Sequence, residues 1–128
     1  YLSGAMEFDL SGHVWRESVR EKLSPKEIIF LDPYIKPFMT SLPEDQSIRE
    51  ELKRKREAGL YDEVHEYFKH VRADDLRMCD MADFAIVSYS IARASIGTDE
   101  EIVTLNRMKK PIFLFVNEGK RKTPLWLL

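Results

Sequence analysis

The chain has 128 residues, 20 Lys+Arg against 22 Asp+Glu, 44% hydrophobic residues and one cysteine, the balance of a single soluble domain large enough to bury a core. No run approaches the roughly 18 apolar residues of a membrane span, a lone thiol excludes an internal disulfide, and a net charge of −2 offers no general field for nucleic acid. A reducing, cytoplasmic setting with no membrane or nucleic-acid partner is the expectation. The sequence opens on Tyr1 rather than Met and stops inside the apolar run 125–128, so further natural residues at one or both ends are expected as well.

Residues 1–5, Tyr-Leu-Ser-Gly-Ala, read as the end of a strand that turns at a glycine. Residues 13–23 carry Val14, Trp15, Val19 and Leu23 at helical spacing and stop at Ser24-Pro25, where proline removes a donor and restricts its predecessor. The run Ile28-Ile29-Phe30-Leu31, inside residues 27–32 and ended by Asp32-Pro33, predicts a second strand covered on both faces. Pro33, Pro37 and Pro43 mark a loop, and residues 44–70 then read as helical with an interruption near Gly59. Within that stretch Glu50 and Arg54, and Glu51 and Lys55, stand at i,i+4, the pattern of a solvated helix face rather than of a nucleic-acid patch. A further helix over 71–82 leads into a third strand over 83–89, rich in β-branched and aromatic residues. A helix over 98–109 ends before Pro111, and residues 112–116, Ile-Phe-Leu-Phe-Val, form a fourth strand.

Strands alternating with helices, and strands of nearly continuous apolar character, imply one α/β domain over 1–128 with a parallel sheet, helices on both faces and a helical insertion at about 34–70. Ligands of such sheets sit beyond the carboxyl ends of the strands. The loops 3–12, 32–43, 88–98 and the stretch after Val116 are therefore where chemistry is expected.

The most informative of these is Ser95-Ile96-Gly97-Thr98-Asp99-Glu100-Glu101-Ile102. Thr98 and Glu101 stand in the T-x-x-E relation of a capping box, which accounts for both with no function. The alternative is that Glu101, in the first turn of a helix at the mouth of the sheet, is kept ionised by the helix dipole and nearby donors and acts as a nucleophile. A second acid is unexpected: Asp75 shares a helix stripe with Val71 and Cys79, and a carboxylate on an apolar face is costly unless paired or functional. Its neighbour Asp74 shares a stripe with Met78 and Met81. His13, His65 and His70 make no metal site, since the last two are at i,i+5 and no Cys/His cluster adds ligands; surface positions are expected. Cys79, Met78, Met81, Met108, Phe113 and Phe115 read as core, and Lys120-Arg121-Lys122 as a solvated loop. There is no Walker loop and no G-x-G-x-x-G.

In their order, Tyr1-Leu2-Ser3-Gly4-Ala5-Met6, Asp74-Asp75-Leu76 with Asp83, Ser95-Ile96-Gly97-Thr98 through Glu101-Ile102, and Lys110-Pro111-Ile112 resemble the nucleoside 2-deoxyribosyltransferase family and the related nucleoside 5′-monophosphate N-glycosidases. The resemblance covers most of the chain, and the insertion at 34–70 is the part it explains least. It implies a flavodoxin-like, Rossmann-like three-layer fold and metal-independent, cofactor-free chemistry at the anomeric carbon of a small-molecule nucleoside or nucleoside 5′-monophosphate. Glu101 matches the family's nucleophile, and Asp75 matches the acid that orients the sugar and shuttles protons to the leaving base. Ser3, Gly4, Ser95, Gly97 and Thr98 fall at substrate-binding positions. Six residues before the glutamate the transferases usually carry Asp and the hydrolases Ser; Ser95 here favours a phosphate-bearing substrate, which Asp would repel. After the first glycine the hydrolases often place an Arg, where this chain has Gly4-Ala5-Met6-Glu7, so Arg16, Ser11 or Gly12 is expected to take over the phosphate. The resemblance also implies a homodimer or higher homo-oligomer, with a neighbour's C-terminal segment completing the pocket. Gly97-Thr98-Asp99-Glu100-Glu101 is similar, too, to the G-T-x-x-E piece of cytokinin-type phosphoribohydrolases, without the glycines and proline that precede it there. The expected activity is N-glycosidic cleavage of a nucleoside 5′-monophosphate; the alternatives are deoxyribosyl transfer between bases and a non-catalytic nucleotide-sensing module.

Overall fold

The computed structural model describes residues 1–6, 12–35, 46–93 and 95–128. The apolar runs form three strands, β1 (Leu2–Gly4), β2 (Ala85–Tyr89) and β3 (Ile112–Val116), which pair in parallel in that order, with Ser3 opposite Val87 and Val87 opposite Leu114. Around them stand α1 (Gly12–Leu23), α2 (Gln46–Glu57), α3 (Tyr61–Met81) and α4 (Ile96–Arg107). The arrangement is α/β with a parallel sheet, compatible with a Rossmann-like fold.

Alternation along the strands decides what each face meets. Ala85 and Val87 of β2, with Ile112 and Leu114 of β3, pack against Met78, Cys79, Ile102 and Leu105 of α3 and α4, and this is the core. Gly4 faces the other way, where a Cβ would lie 2.9 Å from the Ser88 carbonyl and 3.0 Å from the Trp15 ring, so only glycine lets α1 come so close to the sheet. Arg16 of α1 is buried at the same corner and donates to the carbonyls of Gly4 (3.0 Å) and Gly12 (2.5 Å).

The interruption near Gly59 is present and has a local cause. Gly59 takes φ 78, with Leu60 N–H donating to Lys55 O (2.9 Å) and Gly59 N–H to Arg56 O (3.1 Å), which closes α2 in a Schellman motif. On the α2 surface the expected Glu51–Lys55 pair forms at 3.0 Å, and Arg54 Nε reaches the Glu50 carbonyl at 3.4 Å.

Three expectations require correction. Residues 27–32 run beside β1, with Leu2 N–H donating to Leu31 O at 3.0 Å, without forming a strand. Leu31 is buried in the core, but among the described residues nothing covers the other side of the run, where Ile29 is 77% exposed. The segments 44–70 and 71–82 do not meet at a boundary: α3 runs unbroken from Tyr61 to Met81, a span that contains neither Gly nor Pro. Of the methionines and phenylalanines read as core only Met78 is buried, because α4 covers one face of β3 and leaves Phe113 (58% exposed) and Phe115 (61%) on the other, Phe113 meeting Phe84 edge-on at 5.8 Å. Cys79 is in the core and the three histidines are exposed, as expected. No helix among the described residues is long and apolar enough to cross a membrane.

Candidate active site

A cleft of about 970 Å³ opens beyond the carboxyl end of β1, between α3 and the start of α4, the place where parallel sheets bind ligands and the upper end of the size range for small-molecule sites. Of the residues the sequence singled out, Glu101, Asp75, Gly4, Ser95, Gly97 and Thr98 all line it. They arrive from three elements that are far apart in the chain, which is the strongest structural feature of the set.

Glu101 is buried, and its carboxylate is gripped by two hydroxyls from the strand beneath: Tyr1 Oη donates to Oε1 at 2.8 Å and Ser3 Oγ donates to Oε2. Period-two alternation puts Tyr1 and Ser3 on the α4 side of the sheet and Leu2 and Gly4 on the other. The expected capping box is not formed. Helix α4 begins at Ile96, its cap is Ser95, whose Oγ accepts from Thr98 N–H at 3.4 Å, and the Thr98 hydroxyl lies 2.8 Å from the same oxygen. Glu101 is thereby released from a capping role and directed to the sheet.

Asp75 lines the cleft from α3, on a stripe with buried Val71 and Cys79, and Asp74 does not line it, a distinction that periodicity alone makes poorly. The field of the two acids is felt by their neighbours. Burial, then the charges of Glu101 and Asp75, push the Tyr1 phenol well above its usual range, so it stays a neutral donor. The same causes push the Cys79 thiol up to about 12, which removes it as a nucleophile.

The insertion finds a use: Ile48, Arg49 and Leu52 of α2, with Tyr67 and Phe68 of α3, make the far wall. Three arginines line the same cleft. Arg72 pairs with Glu100 across α3 and α4, with Nε to Oε2 at 2.7 Å and a second contact from Nη2 to Oε1. Arg49 donates to the Met6 carbonyl and stacks 5.5 Å over Tyr34, and Arg93 lines the rim after β2. Sequence reasoning missed these arginines and the aromatic pair, since only the tertiary fold turns a charged, solvated helix pair toward α4.

Arg16 is not among the residues lining the cleft. Burial lowers its pKa against the pull of Asp32, whose carboxylate lies 3.5 Å from Arg16 Nε and also takes Arg20 Nη2 (2.6 Å) and Tyr34 N–H (2.9 Å). With its guanidinium 4.6 Å from the Trp15 ring and 5.0 Å from that of Tyr34, it braces the corner behind Gly4. Ser3 likewise supports the cleft from beneath rather than lining it. Gly12 is buried against this corner, while Ser11 and Glu7 lie outside the described residues. Among the described residues no group of three or more His, Cys, Asp or Glu is arranged to hold a metal ion. Compared with family models, curated proteins and solved structures, the chain matches none, and the interpretation of the cleft rests on its own residues.

Proposed function

We propose that the protein is an N-glycosidase that cleaves the base–sugar bond of a nucleoside 5′-monophosphate, with Glu101 as nucleophile and Asp75 as proton carrier. The observation that carries this reading is the buried Glu101 carboxylate, held by Tyr1 and Ser3 and lining the same cleft as Asp75. Such a buried carboxylate is costly to build, and the cap of α4 is Ser95 rather than Glu101. The flavodoxin-like assignment belongs to the same proposal.

The chemistry follows the two-step logic of retaining glycosidases. A Glu101 oxygen attacks the anomeric carbon as the C–N bond breaks, and Asp75 passes a proton to the departing base. The sugar is left as an ester on Glu101. Water then attacks the same carbon, gives its proton to Asp75 and releases the sugar phosphate, which restores both acids. Tyr1 and Ser3 hold the carboxylate in line throughout, and the apolar wall with Tyr67 and Phe68 suits a flat base. Ser95, Thr98 and Arg93, at the start of α4 and the rim beside it, are the groups suited to a phosphate.

The test is release of free base from ribo- and deoxyribonucleosides and their 5′-monophosphates, with and without an acceptor base. Base set free from monophosphates with no acceptor supports the hydrolase. Turnover that requires an acceptor replaces it with deoxyribosyl transfer, and binding with no turnover replaces it with a sensing module. Ser95→Asp is expected to depress activity on monophosphates by tenfold or so relative to nucleosides; equal loss on both refutes the phosphate assignment.

A further inference from the structure

Glu118, which no motif singled out, lies in the turn after β3, outside the cleft lining, and its carboxylate collects three donors. The Ser90 hydroxyl (2.7 Å) and Ala92 N–H (3.1 Å) reach Oε1, and Ile91 N–H (3.1 Å) reaches Oε2. Successive main-chain N–H groups that converge on an anion form a nest, and such charge-assisted bonds are roughly twice as strong as neutral ones. The sheet delivers Glu118 to this point. Tyr89 pairs with Val116, Asn117 N–H extends the ladder to Tyr89 O at 2.9 Å, and Gly119, at φ 89, closes a turn onto Val116 O at 2.9 Å. The three donors hold the carboxyl at a pKa of about 2, so it is ionised across any working pH.

What the carboxylate grips leads into the site. The turn 90–92 runs directly into Arg93 and, two residues on, the helix cap Ser95, both of which line the cleft. We propose that Glu118 is a positioning residue: by anchoring the 90–92 turn it sets where Arg93 and Ser95 stand, and with that the affinity of the cleft for the phosphate of a nucleotide. This rests on the reading of the cleft as a nucleotide site. Glu118 touches no substrate. Its effect passes through the loop, so its removal must appear both in the loop and in phosphate binding.

Glu118→Gln keeps the size and one acceptor oxygen but removes the charge, and Ser90→Ala removes one donor from an edge of the same turn. For each, amide exchange at Ile91 and Ala92 is followed, together with calorimetric affinities for adenosine 5′-monophosphate and adenosine. In Glu118→Gln both amides are expected to exchange about tenfold faster or more, the monophosphate to bind about tenfold more weakly, and adenosine to stay within about twofold. Ser90→Ala is expected to move all three readouts in the same sense by less, and it decides the matter if Glu118→Gln does not fold. Unchanged exchange overturns the proposal, and so does equal loss for nucleotide and nucleoside. Wild-type protein that binds the monophosphate no better than adenosine overturns it as well. Protein that shows the expected differences yet releases no base refutes the N-glycosidase and leaves the positioning role standing.

Discussion

Ser3→Ala removes one hydroxyl from the floor of the cleft and nothing from its lining. Ser3 is fully buried and donates to Glu101 Oε2, so the substitution leaves a buried, charged oxygen short of a donor at a cost of about 2 kcal/mol. For a domain of this length that lowers the melting midpoint by roughly 6–10 °C. Ser24→Ala is the control: Ser24 is exposed and donates only to the Glu21 carbonyl at 3.0 Å, and a change below about 0.5 kcal/mol is expected. Equilibrium urea denaturation of Ser3→Ala, Glu101→Gln and the double variant measures the coupling. With a neutral amide at 101 the donor has no charge to support, so Ser3→Ala is expected to cost at least about 1 kcal/mol less in that background. Equal cost in both backgrounds refutes the claim that Ser3 exists to hold the Glu101 carboxylate.

Lys109 closes α4 at φ 60, with Lys110 N–H on Leu105 O and Lys109 N–H on Asn106 O, both at 3.0 Å, a left-handed position that glycine fills without strain. Lys109→Gly is expected to raise stability by about 0.5–1 kcal/mol in the same urea assay. Cys79 is fully buried with its thiol pushed up to about 12, so iodoacetamide at pH 8 should label it only after unfolding. Because the folded thiol holds its proton more tightly than the unfolded one, its effect on stability is nil below about pH 9 and grows unfavourable as pH rises from there towards 12. The Glu118 carboxyl is shifted the other way, from 4.5 to about 2, so its contribution is complete above pH 4.5 and lost as pH falls through 2. Protection of the Ile91 and Ala92 amides, corrected for intrinsic exchange, should follow that curve, and loss already at pH 5 counts against the contacts described.

The parts of the fold that local pattern controls were legible. Runs such as Ile86-Val87 and Ile112 to Val116 announce strands, Gly59 announces the end of α2, and the Val71–Asp75–Cys79 stripe draws attention to Asp75, which lines the cleft, while separating it only poorly from Asp74. What was not legible depends on partners distant in the chain. The T-x-x-E spacing of Thr98 and Glu101 fits a cap, and only the proximity of Tyr1 and Ser3 in the folded sheet draws the carboxylate away from it. Residues 27–32 are as apolar as a strand, but whether they become one depends on cover that other segments must bring. Arg16 looked like a phosphate ligand because the sequence does not reveal Asp32 beside it. Glu118 carried no signal at all, since its three donors come from a loop that only strand pairing sets opposite it.

The proposal that Glu101 attacks the sugar stands or falls on replacing that carboxylate by the isosteric amide. Free base released from nucleoside 5′-monophosphates is measured for wild type and Glu101→Gln side by side, with monophosphate affinity measured on both. The wild type is expected to release base, the variant to fall by at least about a thousandfold, and affinity to stay within about tenfold. Undiminished base release by Glu101→Gln contradicts the proposal.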